Sequence, residues 1–193
     1  MTVWLSADLH VDHHNILAYC NRPFTSVSHM QEELVRRFNE RVAPKDELWI
    51  LGDFSMGEKI VPIILPKFNG TKYLVSGNHC QTHPSRKNHE AAKLRYLHYG
   101  FAGVFHEVHN FHGFLLNHMP YVEEGAHGAK YAQWRPKDEG KWLLCGHVHQ
   151  SFKIDIPRRT INVGCDVWDY YPVPLATLTA IRDGQLGSNT TPV

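Results

Sequence analysis

Four short apolar runs in this chain each stop on residues that can bind a cation or carry a proton. "TVWLSAD" ends at Asp8, and "ELWILGDF" carries Asp53 behind Gly52. "TKYLVSGNH" ends at Asn78 and His79 behind Gly77, and "KWLLCGHVHQ" ends on His147 and His149 behind Gly146. Short apolar runs of this kind, bounded by turn residues, read as buried strands. Helix patterns lie between the first three. In "SVSHMQEELVRRFNERV", Met30, Leu34, Phe38 and Val42 form one apolar stripe, Ser28 with Gln31 three residues on fits a capping box, and Pro44 ends the segment. "KIVPIILPKF" holds two prolines and allows one or two helical turns. "RKNHEAAKLRYLHYG" predicts a second helix that stops at Gly100.

The second half is richer in strands. "VFHEVHNFHGFLLNH" predicts two strands around a turn at residues 110–113, and "SFKIDIPRRTINVGCDVWD" a hairpin turning at Pro157-Arg158. "PLATLTAI" reads as a closing strand. Residues 122–141 are polar and punctuated by glycine, which predicts a long loop, and loops of that length are often functional. The expected class is therefore α/β, with two sheets packed together and helices outside. Over 193 residues we expect one domain, with a frayed tail at 186–193.

A formal net charge of +1 gives no general field to draw in nucleic acid or a membrane surface. No apolar run approaches the ~20 residues that span a bilayer, and the first residues lack the pattern of a signal peptide, so a cytoplasmic protein is expected. The four cysteines form no CxxC pair and read as reduced thiols. Histidine is the outlier, at 15 residues against 19 Asp plus Glu. Position gives it meaning. "SADLHVDHHNI" alone puts two aspartates and three histidines within seven positions, directly after the first apolar run.

Ligand sites in α/β sheets gather at the carboxyl ends of strands, which is a reason to pool these chain segments. Asp8, His10, Asp53, Asn78, His118, His147 and His149 supply two carboxylates, one amide oxygen and four imidazoles, a set suited to divalent Mn, Fe or Zn. One ion needs fewer donors, so two ions ~3.5–4 Å apart that share a carboxylate use the set better. On an extended segment, residues i and i+2 point the same way, so His147 and His149 are expected to serve neighbouring ions. Any one of these histidines taken alone reads more simply as a surface or hydrogen-bonded residue. The recurrence at separated strand ends argues for metal.

In this order, and over nearly the whole chain, Asp-Leu-His at 8–10, Gly-Asp at 52–53, Gly-Asn-His at 77–79, His118 and Gly-His-Val-His at 146–149 resemble the calcineurin-like metallophosphoesterase superfamily. "DLHVDHHNI", "LNHMPY" and "INVGCDVWDYYPVPL" resemble its small bacterial and bacteriophage branch. The resemblance implies a four-layer α/β/β/α sandwich of two mixed sheets flanked by helices. It implies one ion on Asp8, His10, Asp53 and His149 and a second on Asp53, Asn78, His118 and His147. Asp53 would bridge them, and His79 would be a non-ligand acid at the leaving group. It also places His13 near the substrate. Two positions depart from the pattern: Cys80 follows His79 where the superfamily usually has an acid, and Asp12 precedes His13 where the small branch usually has glycine.

Such a centre would present hydroxide to phosphorus at neutral pH, with Asn78 and the ions holding the phosphate and His79 protonating the leaving oxygen. Few basic residues lie near the motifs to hold a monoester dianion, which favours a phosphodiester substrate. By resemblance we expect small phosphodiesters, cyclic nucleotides among them, with 2′,3′-cyclic ones favoured, and manganese as the metal. A stable nucleic-acid partner is not expected. A phosphomonoesterase or nuclease on the same site is the nearest rival. A non-catalytic scaffold is the more distant one, and it should lack ligands that are all present here. Tyr131, Trp134 and Arg135 could stack on a base, or Trp134 could pin the loop to the body. Trp168 reads as a packing residue or a wall of the site. Cys80 is near enough to be oxidation-sensitive if exposed. His29, His83, His89, His98, His106, His109, His112 and His127 read as surface residues.

Overall fold

In the computed structural model, which describes residues 1–123 and 125–186 (at 125–127 the backbone only), the chain runs through β1 (Val3–Ser6), α1 (Ile16–Tyr19), α2 (Val27–Arg41), β2 (Glu47–Leu51), α3 (Val61–Ile64), β3 (Thr71–Val75), α4 (His89–His98) and β4 (Gly103–Phe105). It continues through β5 (Glu107–Phe111), β6 (Phe114–Asn117), α5 (Gly125–Lys130), β7 (Trp142–Cys145), β8 (Ile154–Asp155), β9 (Thr160–Asn162), β10 (Val173–Pro174) and α6 (Leu175–Arg182). These strands build two five-stranded mixed sheets. The first has the order β10-β1-β2-β3-β4, with β1 to β4 parallel and β10 antiparallel at the edge. The second has the order β5-β6-β7-β9-β8, parallel in the middle with antiparallel edges. Of the tail expected at 186–193, residues 187–193 lie outside the described residues.

The register explains the layering. Leu5 pairs with Trp49 and Ile50 with Leu74, so alternate residues share a face. Leu48, Ile50 and Leu74 face one way and meet Met30, Leu34, Phe38 and Val42 of the α2 stripe, all buried. Leu5, Trp49, Leu51 and Val75 face the other way and pack on Phe114, Leu116, Leu144 and Ile161 of the second sheet. On the far face of that sheet Leu115 and Leu143 are covered by Tyr121 and Phe152. The result is a mixed α/β sandwich.

Three expectations need correction. Helix α2 begins one residue before Ser28, and its cap is Ser26, which has the extended backbone (φ −159°, ψ 166°) that a cap requires and whose side chain accepts from the His29 N–H at 3.1 Å. Ser28 sits inside the first turn and donates to Glu32 instead. "PLATLTAI" gives only Val173–Pro174 to the sheet edge and then turns into α6, which buries Leu178 and Ile181 between the sheets. The loop at 122–141 contains α5 and a 3-10 turn at Ala132–Trp134. Its helix includes Gly125 and Gly128, residues of low helix propensity, so the sequence hid it. The strands around 110–113 and the hairpin at 157–158 are present as expected, and all four cysteines are free and buried. Trp168 is buried, and its indole N–H donates to the Asn162 carbonyl at 2.7 Å.

Candidate metal centre

The carboxyl ends of β1 and β2 stay zipped together beyond their last ladder pair. Asp8 N–H donates to Gly52 O (3.2 Å), His10 N–H to Asp53 O (2.9 Å) and Val11 N–H to Phe54 O (2.9 Å). Gly146 N–H donates to His118 O, and His147 N–H to Asp8 Oδ2 at 2.8 Å, which joins the two sheets at this point. Asp8, His10, Asp53, His147 and His149 all sit at positive φ, between 45° and 72°. Non-glycine residues rarely adopt that conformation, and such strain concentrates at functional sites. The His-x-His pair therefore lies in a left-handed turn, not on an extended segment, and its two rings reach different groups. Gly52 (φ 90°) and Gly77 stand where a Cβ would strike the His118 ring and the Asp53 carboxylate respectively, so the backbone must come this close for the side chains to meet.

All seven expected ligands come together, in two groups. On one side are Asp8, His10 and His149, whose donor atoms lie within 4.8 Å of one another and whose imidazoles stack with centroids 5.2 Å apart. On the other, Asn78 Oδ1 is 3.0 Å from both His118 Nε2 and His147 Nδ1. One atom lies between the groups: Asp53 Oδ2 is 3.7 Å from His10 Nε2 and 3.4 Å from His118 Nε2. Three of the four imidazoles have their far nitrogen engaged. His118 Nδ1 contacts Leu51 O (2.8 Å), His147 Nε2 contacts Glu123 (3.1 Å) and His149 Nδ1 contacts Asp166 (2.9 Å). Partners of this kind fix the tautomer and aim the near nitrogen inward. Asp8 Oδ1 and both ring nitrogens of His10 are buried without a hydrogen-bond partner. Buried polar atoms are nearly always satisfied, so this trio fits a group that a cation would fill. Asp8, Asp53 and His118 form a second cluster of ligand spacing. A third, Cys20 with His149 and Asp166, is the hydrogen-bond network behind the first group, because the Asp166 oxygens are already taken by His149 and Arg22.

The charges are arranged in pairs. Burial alone would raise the Asp53 carboxyl, but His118, His10 and His79 around it hold it well below the usual range. Burial raises Asp8 and pushes His10 well down. His147 falls to about 3 through burial and the nearby His118. His118 goes the other way, to about 9, because the facing Asp53 outweighs its burial. His149 rises to about 11 against its burial because Asp166 accepts from it.

His79 lies half-buried beside the centre. Its N–H donates to Asp53 Oδ1 at 3.0 Å, and its ring meets the His10 ring edge-on at 5.6 Å. Among the described residues no carboxylate accepts from that ring. Cys80 is buried next to Asp53, with its thiol pushed up to about 12 by burial, so it is not an exposed, reactive thiol. Asp12 takes the left-handed turn (φ 62°) without being glycine, and His13 thereby reaches within 5.4 Å of the His10 ring, centroid to centroid.

Several residues act here in ways the sequence does not signal. Arg22 is buried under the centre, where it pairs through two nitrogens with Asp166 (2.8 and 2.9 Å) and donates to the carbonyls of Asp8 (2.6 Å) and Leu9 (2.9 Å). Arg135 binds Pro120 O and the Glu123 carboxylate, and so ties the loop to His147. His83 is no surface histidine. It is buried, and it and His106 meet Trp134 edge-on at 5.4 and 5.8 Å, which pins that indole. His14 is exposed.

The centre opens into a cavity of about 730 Å³ lined by His10, His13, His79 and His149 and by Tyr19 and Phe152. A second cavity of about 330 Å³ begins at Asn78 and His79. Both fall within the size range of small-molecule sites. No helix among the described residues is long and apolar enough to cross a membrane.

No family model matches the chain. It is similar to the Gene 66 protein of Mycobacterium phage L5, 32% identical over 186 residues that cover 86% of each chain. The Gene 66 protein of Mycobacterium phage D29 is 30% identical over 182 residues, 86% of this chain and 88% of that one. Among solved structures, a protein of unknown function from Aquifex aeolicus superposes with a TM-score of 0.66 at 20% identity, over 93% of this chain and 98% of that one, which shows a shared fold. With a third of its residues identical across most of both lengths, the chain belongs to the family of the mycobacteriophage gene 66 proteins.

Proposed function

We propose that this chain is a dinuclear metal-dependent phosphodiesterase of the calcineurin-like metallophosphoesterase type, with that superfamily's four-layer arrangement in a single domain. The observation that carries the proposal is Asp53 Oδ2, set between an Asp8/His10/His149 group and an Asn78/His118/His147 group. The first group with Asp53 would hold one ion and the second group with Asp53 the other, manganese being the first choice and iron or zinc also suited to these donors. Bound there, two divalent ions supply an activated water and offset charge on a phosphoryl group.

The chain's own residues do the rest. Asp166, Leu51 O and Glu123 hold the imidazoles in the tautomer that aims a lone pair inward. His79, half-buried and fastened to Asp53 through its backbone, offers a ring N–H to the departing oxygen. His13 lines the same cavity, where it would contact a phosphate oxygen. At the scissile position the arginines favour a diester over a monoester: Arg22 is spent on Asp166 and two carbonyls, Arg135 on Glu123 and Pro120, and Arg158 pairs with Asp155, while Arg86, held by the Asn78 carbonyl, lines the smaller cavity beside the centre. The proposed substrates are small phosphodiesters, with 2′,3′-cyclic nucleotides and aryl diesters as the first tests, in a cytoplasmic setting.

A panel of aryl phosphomonoesters, aryl diesters, cyclic nucleotides and nucleic-acid ends, assayed with Mn²⁺, tests the proposal. Turnover of diesters well above monoesters, abolished in Asp53→Ala, is expected. Turnover confined to monoesters would replace the diester assignment, and no turnover of any ester with any divalent cation would remove the enzymatic one.

A further inference from the structure

The cavity of about 330 Å³ that begins at Asn78 and His79 differs in charge from the larger one. Glu123, Asp155 and Arg158 line the larger cavity, so its acids outnumber its one arginine. The smaller one is lined by Arg86 and Lys130, and none of its lining residues is acidic. In a chain whose formal net charge is only +1, two cations around one small cleft are a local concentration of charge.

The cations are set by their surroundings. Arg86 Nη2 donates to the backbone carbonyl of Asn78 at 3.1 Å, which ties its guanidinium to the segment that carries the candidate ligand. Lys130 Nζ lies 5.0 Å from the centroid of the Tyr131 ring, and that ring meets His147 edge-on at 6.3 Å. Trp134 completes the wall, with its indole held by His83 and His106. An aromatic wall beside a pair of cations matches a ring-bearing group that carries its own negative charge. His79 lines both cavities, so a phosphorus atom at the centre would send one substituent into each.

We propose that this smaller cleft is a second substrate subsite, which takes an anionic, ring-bearing arm of the substrate and binds its additional phosphate through Arg86 and Lys130. The inference rests on the proposed phosphodiester chemistry and narrows it. The preferred substrate carries a phosphate beyond the scissile one, and the uncharged arm occupies the larger cavity.

Calorimetry in Mn²⁺ with thymidine 5′-monophosphate and thymidine 3′,5′-bisphosphate tests it, because the two probes differ only in the added phosphate. Wild-type protein should bind the bisphosphate about tenfold or more tightly than the monophosphate. Lys130→Glu and Arg86→Ala should bring that ratio to within about twofold, and Lys130→Arg should keep it. Arg86→Ala also loses the bond to Asn78 O, so Lys130→Glu, on the exposed side of α5, decides the matter if Arg86→Ala misfolds. Equal affinity of the two probes in wild type, or a ratio untouched by Lys130→Glu, would overturn the subsite. Hydrolysis of p-nitrophenyl diesters and 2′,3′-cyclic nucleotides is scored separately. The absence of both would end the phosphodiesterase proposal whatever the calorimetry shows.

Discussion

Single residues decide whether the proposed centre exists and works. His79 touches Asp53 only through its backbone, so His79→Ala should leave the ligands in place. As a proton donor it should matter most for poor leaving groups: the loss in kcat is expected to be 10²-fold or more for alkyl diesters and much smaller for p-nitrophenyl diesters. Equal loss on both would remove the acid role. Arg22 acts from below. Its removal leaves the Asp166 carboxylate buried with only His149, and breaking a buried pair on one side costs about 3–5 kcal/mol. Arg22→Ala should lower the urea unfolding free energy by an amount of that order, and a change below about 1 kcal/mol would show that water or a neighbour replaces the guanidinium. The seven proposed ligands could be picked out from the chain because each follows an apolar run. Arg22, Asp166 and Glu123 could not, because their charged partners lie 12 or more positions away and only the fold brings them near.

Elements were legible where their period was unmistakable. The α2 stripe and the strands leading to Asp53 and Asn78 lie where the pattern put them. Caps and short helices were not so readable. Ser28 with Gln31 fits a capping box on paper, but the extended backbone at Ser26 places the cap there. Ser26→Ala should therefore cost about 1 kcal/mol and Ser28→Ala less than about 0.5 kcal/mol by chemical denaturation, and the reverse order would reinstate the capping box at Ser28. In α6, Leu175, Leu178 and Ile181 lie three apart while its threonines and isoleucine favour a strand, so both periods fit eight residues. The sheet edge settles it: β10 pairs with β1 over only two residues, one of them Pro174, which has no N–H to give.

At the scale of the whole molecule, burial of histidine makes stability depend on pH. His83 accepts from the Ser85 N–H at 3.2 Å, and burial together with His106, His118 and Arg86 lowers it from 6.5 to about 4, against the opposing pull of Asp53. The folded chain thus takes up this proton only near pH 4, whereas the unfolded chain takes it up near 6.5. Between those values the unfolded state binds more protons, so stability falls as pH falls from 6.5 to 4. The contribution of this one residue is on the order of 1–3 kcal/mol. In chelator, the stability gap between wild type and His83→Gln should shrink as pH drops through that window, and a constant gap would show that His83 keeps its ordinary affinity for protons.

The same assembly of distant segments governs the centre, where β1, β2, β3, β6 and β7 each end on a proposed ligand. The most direct measurement is the number of Mn²⁺ ions bound per folded chain in wild type, His149→Ala and Asp53→Ala. Two, one and none or nearly none are expected in that order, with all three chains folded by circular dichroism. A wild-type chain that binds no divalent ion, or an Asp53→Ala chain that still binds two, would contradict a pair of sites joined through Asp53.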